Sequence, residues 1–313
     1  MKRMVITGAT SMIGVALIEE AIKDPQTERI YAVLRENTEK ENRIPSDGRI
    51  KKLYCNLDKY EKLPKLINEK CDVFYHLAWP RTATYEESYD DILLKCMNLQ
   101  TILNAVKAAS ELGCKKFVGA GSQSEYGIIN DGKMSPDIIC APVRADGIIH
   151  LAGGHLAGIL AQKYNMICVW IRIFSVYGKY DRENSMISST IRKLRKGEHC
   201  AFTLSEQKWD YLWAEDAGRA FYLAGKKGGI QENVIYNVAF GQSRQLREYI
   251  EIIRDVVAPE AELGFGEIPY PQNPIMNLSA DIASLKRDIG WEPLVDFREG
   301  IEKIAFMEER HCL

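Results

Sequence analysis

The chain has 313 residues, 46% of them hydrophobic and 27% charged, which is typical of a globular protein with a core of ordinary size. Its 41 basic and 43 acidic residues are spread along the chain and give a net charge of −2, so a surface for nucleic acid is not predicted. Because the first strand leaves no room for a signal peptide and no apolar run approaches the ~20 residues that cross a bilayer, we expect a cytoplasmic protein with no membrane partner.

The first half of the chain alternates short apolar runs with amphipathic segments. The apolar runs predict strands at residues 3–7, 30–34, 52–55, 72–77, 116–120 and 167–173. Helices are predicted between them over residues 12–22, 85–112 and 143–164. Buried-type strands that alternate with helices predict an α/β fold of the Rossmann type, with a doubly wound parallel sheet covered on both faces.

The second half is less regular. Helices are predicted near residues 186–196, 214–224, 246–257 and 282–289, and a strand at 234–238. Trp209, Tyr211 and Trp213 alternate along a further predicted strand, as core residues do. We predict a dinucleotide-binding domain over residues 1–175, with a return strand near 209–240, and a smaller, mainly substrate-binding domain over 176–313. Ligands of such sheets bind at the carboxyl ends of the strands.

A glycine-containing loop, TGATSMIG at residues 7–14, joins the first strand to the first helix. Gly8 permits the tight turn and Gly14 permits close packing of helix on sheet. The N-terminus of the helix then offers free N–H groups and a positive dipole end to a pyrophosphate. The residues expected to contact the cofactor here are Gly8, Thr10, Ser11, Met12, Ile13 and Gly14.

Further motifs follow in a recognisable order over nearly the full length. They are NLD at 56–58, HLA at 76–78, GSQSEYG at 121–127, RIFSVYG at 172–178, WDYLWAEDAGRAF at 209–221, YNVAFGQS at 236–243 and GWEPLVDFREGI at 290–301. With TGATSMIG, they make the chain resemble the extended short-chain dehydrogenase/reductases, of the NAD-dependent epimerase/dehydratase type that acts on nucleotide sugars.

The resemblance implies an NAD(P)-dependent enzyme that modifies a nucleotide-activated sugar, as an epimerase, a reductase or a dehydrogenase. It also implies a homodimer formed through the two long helices of the first half. Beyond the loop, the cofactor is expected to contact Asn56, Leu57, Leu77, Ala78 and Trp79. Substrate contacts are expected at Arg81, Ser124, Tyr126 and Tyr177. The resemblance disfavours a sugar 4,6-dehydratase. Such enzymes have an Asp-Glu pair, which supplies the acid and base, at the positions that Gln123 and Ser124 occupy here.

The end of the second strand bears on the choice of nicotinamide. Proteins of this type that take NAD usually have an acidic residue there, which binds the adenosine ribose. This chain has Arg35 followed by Glu36. An arginine suits a 2′-phosphate, whereas Glu36 would oppose one if it pointed inward. The sequence therefore favours NADP over NAD.

The catalytic motif departs from the family pattern. Ser122 occupies the position of the family's Ser/Thr, which binds the reacting oxygen. The segment DGIIHLAGGHL at 146–156 aligns without a gap with the family's Tyr-x-x-x-Lys helix, and it places Asp146 at the tyrosine and His150 at the lysine. That lysine also binds the nicotinamide ribose in the family, so His150 is expected to contact the cofactor.

These replacements predict altered chemistry. Asp146 and His150 are four residues apart on one helical face, so the carboxylate can orient the imidazole and raise its pKa. The hypothesis is that His150 is the acid/base, held by Asp146, with Ser122 on the reacting oxygen. Tyr126 and Tyr177 are candidate substitutes for the missing phenol. Two alternatives stay open: a catalytically silent NAD(P)-binding sensor or scaffold, and a lyase or isomerase that uses His150 without redox chemistry.

Two remaining residue types indicate structural roles. The eight cysteines are scattered, with no Cys-x-x-Cys pair, so a metal site is not predicted and reduced thiols are expected. His76 follows a strand and is interpreted as a buried, hydrogen-bonded histidine. Arg172 opens a family-like motif and is interpreted as structural.

Overall fold

The computed structural model describes residues 1–79, 89–229 and 233–309. The strands are β1 (Arg3–Thr7), β2 (Arg29–Leu34), β3 (Ile50–Tyr54), β4 (Val73–His76), β5 (Lys116–Ser122), β6 (Ile167–Ile173), β7 (Ser175–Tyr177), β8 (Cys200–Phe202), β9 (Lys208–Trp209), β10 (Tyr211–Trp213), β11 (Val234–Val238), β12 (Arg244–Gln245) and β13 (Leu263–Phe265). The helices are α1 (Met12–Lys23), α2 (Leu63–Leu66), α3 (Tyr89–Glu111), α4 (Ala145–Lys163), α5 (Met186–Arg195), α6 (Ala214–Lys227), α7 (Leu246–Val257), α8 (Ala283–Ile289) and α9 (Phe297–Glu309).

Seven of these strands form one parallel sheet in the order β11-β6-β5-β4-β1-β2-β3. The chain starts at β1, runs outward to β3 and then returns to the other side of β1 at β4. The strand order therefore reverses between β1 and β4, and a crevice opens there at the carboxyl ends of the strands, where ligands of doubly wound sheets bind. The predicted Rossmann-type fold is confirmed.

Each face of the sheet is covered by a pair of helices. Met4 and Ile6 of β1 pack in a core with residues of α1 and α6, whereas Val5 packs in a second core with residues of α3 and α4. Because successive side chains of a strand point to opposite faces, both faces of an internal strand must be apolar. This explains why the internal strands lack polar alternation.

The C-terminal part contributes a separate, aromatic-rich core. Its buried members include Tyr177, Trp213, Tyr249 and Phe297, drawn from β7, β10, α7 and α9. The division of the chain at residue 175 stays a prediction, because β11 leaves the second half to join the main sheet beside β6. Within the described residues, no helix is both long and apolar enough to cross a bilayer.

Some elements differ from the predictions, such as the short helix α2, which was not predicted. The predicted strand through Trp209, Tyr211 and Trp213 is two short strands, since the buried Asp210 between them accepts hydrogen bonds from the backbone N–H groups of Phe240 and Gly241. Helix α9 was not predicted, although it buries an apolar side on the third core. The start predicted for α3 at residue 85 lies outside the described residues.

Candidate active site

The loop between β1 and α1 has the shape that its sequence predicts. Gly8 has a φ of +70°, and a Cβ there would lie 2.7 Å from the carbonyl carbon of Leu77. A Cβ at Gly14 would overlap the carbonyl oxygen of Gly8. Ser11 caps α1 by accepting a hydrogen bond from the N–H of Gly14 at 3.0 Å. Only glycine fits both positions, so the loop lies directly against the segment that follows β4, and the first turn of α1 lies directly against the loop.

Arg43 lies beside this loop and was not predicted. Its Nη1 donates to the carbonyl oxygen of Thr10 at 3.3 Å, and its guanidinium lies 4.4 Å from the ring centroid of Tyr180. The contact brings a cation to the phosphate loop from the segment after β2. Sequence spacing could not show this, because the three residues are far apart in the chain.

The residues expected near adenosine lie at the ends of β2 and β3. Arg35 is exposed. The N–H of Glu36 donates to Oδ1 of Asn56 at 3.1 Å, and Nδ2 of Asn56 donates to Oε2 of Glu36 at 3.1 Å. The two hydrogen bonds hold the Glu36 carboxylate at the side of Asn56, where the carboxyl ends of the two strands meet.

The catalytic candidates meet at the ends of β4 and β5. The indole N–H of Trp79, after β4, donates to the carbonyl oxygen of Ala120 at 2.8 Å. Its ring centroid lies 3.7 Å from that of His150 on α4. A Cβ at Gly147 would overlap the carbonyl oxygen of Ser124, so the first turn of α4 docks on the turn that follows β5. Trp79, Ser124 and His150 thus share one corner of the carboxyl edge.

Ser122 lies at the start of that turn. Its Oγ accepts hydrogen bonds from the backbone N–H of Ser124 at 3.1 Å and from the Ser124 hydroxyl at 2.8 Å. Its own N–H donates to Oε1 of Glu125 at 2.9 Å. The pattern is a capping box, which the spacing of Ser122 and Glu125 in the sequence could have revealed.

Glu125 links this corner to the neighbouring strand β6. Its carboxylate accepts hydrogen bonds from Nε1 of Trp170 at 2.9 Å and from Nε of Arg172 at 2.8 Å. The side chains of Glu125 and Arg172 are 1% and 3% exposed. Arg172 is therefore structural, in agreement with its interpretation from the sequence. Through Glu125, it fixes the turn that carries Ser122.

His150 is largely enclosed, and its protonation differs from the expectation. Burial lowers the pKa of His150 to about 4, although the Asp146 carboxylate opposes this by raising the pKa. The effect predicted for Asp146, a raised pKa, is present, but removal of the imidazole from water outweighs this one half-exposed carboxylate. Oδ1 of Asp146 lies 3.4 Å from Nζ of Lys95 on α3. Nδ1 of His150 has no hydrogen-bond partner among the described residues.

The two tyrosines considered as replacements for the phenol are enclosed in the protein. Tyr126 is fully buried, and its hydroxyl donates to Oδ1 of Asn237 at 2.6 Å. Tyr177 is 1% exposed, and its hydroxyl donates to the carbonyl oxygen of Phe297 at 3.4 Å. Both hydroxyl groups are occupied inside the core. This burial argues against the predicted roles of Tyr126 and Tyr177 at the substrate.

His76 is buried, its Nδ1 lies 2.9 Å from Oγ1 of Thr7, and burial lowers its pKa to about 3. Arg81, expected at the substrate, lies outside the described residues. Across residues 1–79, 89–229 and 233–309, no group of three or more His, Cys, Asp or Glu side chains is arranged to hold a metal ion.

A family model described as "NAD dependent epimerase/dehydratase family" matches residues 4–239. The chain belongs to this family. The match covers three quarters of the chain and includes the phosphate loop and both helices of the catalytic corner. It confirms the resemblance inferred from the motifs, and NAD is the cofactor that the family description names.

Relatives in the family have names that refer to sugars linked to nucleotides. The chain is 24% identical to CDP-abequose synthase of Salmonella muenchen, over 98% of each chain. It is 25% identical to dTDP-4-dehydro-6-deoxyglucose reductase of Escherichia coli, over 96% of each chain. The names place nucleotide-sugar modification among the activities of proteins to which this chain is similar.

Solved structures share the fold. A UDP-N-acetylglucosamine 4-epimerase from Methanobrevibacter ruminantium M1 superposes with a TM-score of 0.84 at 21% identity, over 98% of this chain and 99% of the other. A UDP-glucuronic acid 4-epimerase from Bacillus cereus, in complex with NAD, superposes with a TM-score of 0.82 at 19% identity over the same shares. At these identities the likeness shows the fold alone.

Proposed function

We propose that the protein is an NAD-dependent enzyme that oxidises or reduces a ring hydroxyl position of a nucleotide-activated sugar. One observation carries the proposal: the phosphate loop and the corner formed by Ser122 and His150 lie on either side of the end of β4. This arrangement brings the loop that suits a dinucleotide and the groups that suit proton transfer to one edge of the sheet. The names of the relatives supply the substrate class.

The residues of the first turn of α1 fit a dinucleotide. The cradle between Gly8, Gly14 and Leu77 would be filled by any Cβ, which leaves backbone room for a pyrophosphate. When bound, the nicotinamide accepts or returns a hydride. The N–H groups of the first turn of α1, together with the nearby guanidinium of Arg43, would hold the phosphates.

The protein's own part in the reaction is proton transfer and orientation. Oxidation of a hydroxyl removes a hydride from carbon and a proton from oxygen, so a proton acceptor is needed. With a pKa of about 4, His150 is neutral at pH 7 and can accept that proton. Ser122 is proposed to bind the reacting oxygen, and residues 176–313 to supply most contacts to the sugar nucleotide.

The proposed cofactor is NAD rather than NADP. The preference for NADP that Arg35 suggested is not supported by the family description. The carboxylate of Glu36 is held at the ends of β2 and β3 by Asn56, and it would repel a 2′-phosphate bound there. Titration of the protein with both cofactors decides the point: tighter binding of NADP would overturn this choice and leave the sugar chemistry untouched.

A second function is favoured by one observation. Asp146 stands where the family has its tyrosine, so the corner has no phenol at that position. The imidazole of His150 is a weak base, because burial lowers its pKa to about 4. A catalytically silent protein that binds the cofactor as a sensor or scaffold would have such a site. The two functions differ in whether any sugar is turned over.

The deciding experiment follows a panel of nucleotide sugars by mass spectrometry and chromatography, in heavy water with NAD or NADP and their reduced forms. A change of two mass units with matching cofactor conversion identifies oxidation or reduction. Unchanged mass with altered mobility identifies epimerisation, and solvent deuterium on carbon identifies the lyase or isomerase chemistry. We expect His150→Ala to lower turnover by about 10²- to 10⁴-fold.

The matched control is His155→Ala, which changes an exposed histidine on the same helix. It is expected to retain full turnover. Full turnover in His150→Ala would remove His150 from the mechanism. Cofactor binding with no sugar changed by the unaltered protein would favour the silent function.

We also propose a homodimer formed through α3 and α4, because their outer sides are apolar. Met97 is 63% exposed, Ile148 is 50% exposed and Ile159 is 67% exposed. Such a cluster on adjacent helices suits a second copy. In sedimentation experiments, the double change Met97→Glu and Ile159→Glu is expected to weaken the dimer at least about tenfold, since it buries charges at the contact.

The control for this change is Leu294→Glu, which replaces a 70% exposed apolar residue away from both helices and should leave the dimer intact. A monomeric unaltered protein, or a dimer that both sets of changes leave unaffected, would contradict the proposed interface.

A further inference from the structure

Lys95 is a buried cation on a helix whose neighbouring side chains face outward. Leu94 and Met97 are 39% and 63% exposed, whereas the Lys95 side chain is only 3% exposed. Lysine is almost never this buried unless it is paired, because removing an ammonium from water is strongly unfavourable. The position of Lys95 between α3 and α4 therefore depends on what it meets there.

Lys95 contacts a residue of the candidate active site. Its Nζ lies 3.4 Å from Oδ1 of Asp146, in the first turn of α4, and the Asp146 side chain is half exposed. The two helices run parallel at this point, since further along α3 the side chain of Ile102 reaches Gly153 of α4. One helix thus supplies the anion and the imidazole of the catalytic corner, and its neighbour supplies the cation.

The contact between α3 and α4 also contains two buried polar atoms without hydrogen-bond partners in the described part of the chain. They are Oδ1 of Asn98, one turn after Lys95, and Nδ1 of His150, one turn after Asp146. Asn98 is 5% exposed. Buried polar atoms are nearly always hydrogen-bonded. The two unpaired atoms between α3 and α4 therefore indicate that polar groups here have a role other than packing.

We propose that Lys95 is a positioning residue of this site: its ammonium holds the Asp146 carboxylate beside His150 and partly cancels the negative charge that Asp146 presents to the imidazole. The inference rests on the proposed function for the role of His150. The charge state of His150 is then set by a pair that spans two helices, not by Asp146 alone.

Other groups near His150 in the described part of the chain come from three further elements. Trp79, from the loop after β4, is uncharged and lies against the ring. The Glu125–Arg172 pair, beyond Trp170, is internally neutral. Arg144 precedes α4 and is exposed. The Asp146 carboxylate raises the pKa of His150, against the effect of burial.

The test is an NMR titration of the His150 imidazole in the full chain, which requires no turnover. In Lys95→Met, the uncancelled carboxylate is expected to raise the pKa of His150 by about one pH unit. Lys95→Arg retains the charge and is expected to leave the titration unchanged. Lys107→Met, which replaces an exposed lysine on the same helix, is the matched control and is also expected to have no effect.

A second variant guards against loss of folding. Asp146→Asn changes a half-exposed residue and leaves Lys95 facing His150, so the imidazole is expected to stay neutral to a lower pH than in the unaltered protein. A purely structural role for Lys95 would not move the titration in opposite directions in the two variants. An unchanged titration in Lys95→Met, or equal shifts in Lys95→Met and Lys95→Arg, would overturn the proposal.

The turnover measurement stays separate from this test. If the titration shifts as expected but no sugar is changed, the positioning role stands and the proposed function fails. If sugars are turned over but the titration is unmoved, the function stands and the role of Lys95 fails.

Discussion

Glu125→Ala is expected to lower the free energy of unfolding by about 3–5 kcal/mol, the largest effect on stability that we predict. The change leaves the guanidinium of Arg172, which is 3% exposed, buried without its anion. It also leaves the N–H groups of Ser122 and Trp170 without their acceptor. Because the side chains of Arg172 and Trp170 are buried, water replaces their lost hydrogen bonds poorly.

This prediction is measured by denaturant unfolding followed by tryptophan fluorescence. The control is Glu28→Ala, which removes an exposed carboxylate paired with Lys2 and Arg3 and is expected to change the free energy of unfolding little. If Glu125→Ala cost no more than this control, the buried pair could not be the anchor of the turn that carries Ser122.

Gly14→Ala is expected to weaken binding of NAD by about a hundredfold, the largest effect on cofactor affinity. The added Cβ would overlap the carbonyl oxygen of Gly8, so the loop and the first turn of α1 must move apart. That movement displaces the N–H groups that would meet the pyrophosphate. The same strain is expected to lower the free energy of unfolding by about 1–3 kcal/mol.

Isothermal titration with NAD checks the prediction. Gly48→Ala is the matched control, since a Cβ at Gly48 meets no atom within 4 Å. This change should leave affinity intact and can slightly stabilise the protein by restricting the unfolded chain. Undiminished NAD affinity in Gly14→Ala would mean that the cofactor is bound elsewhere, and would remove the main support for the proposed function.

Local patterns in the sequence were sufficient to predict most of the main sheet. The strands of the first half, the helices that cover them and the glycine loop each depend on residues adjacent in the chain. The sequence also carries a signal for helix α9, since Phe297, Ile301 and Ile304 recur at helical spacing and pack on the third core. The break at Asp210 could not be predicted, because its partners follow a strand 24 residues further along the chain.

The catalytic corner was predicted only in part. The spacing of the motif placed Asp146 and His150 on one face of α4, as found. Their charge relationship was not predictable, because it depends on burial under Trp79 and on the ammonium of Lys95. The one signal for Lys95 was a lysine within an otherwise apolar part of α3. Tyr126 and Tyr177 belong to family motifs, but only their distant partners show that both hydroxyl groups are occupied.

The sequence by itself determined the α/β fold, the parallel sheet, the dinucleotide loop and the family, because each follows from periodicity or from residues at fixed short spacing. The tertiary structure decided which polar groups are buried and what they meet. It placed Arg43 at the phosphate loop, tied Glu36 to Asn56, and brought Lys95 to Asp146. Desolvation and contacts between distant residues set the charge of a site, and neither can be read before the chain is folded.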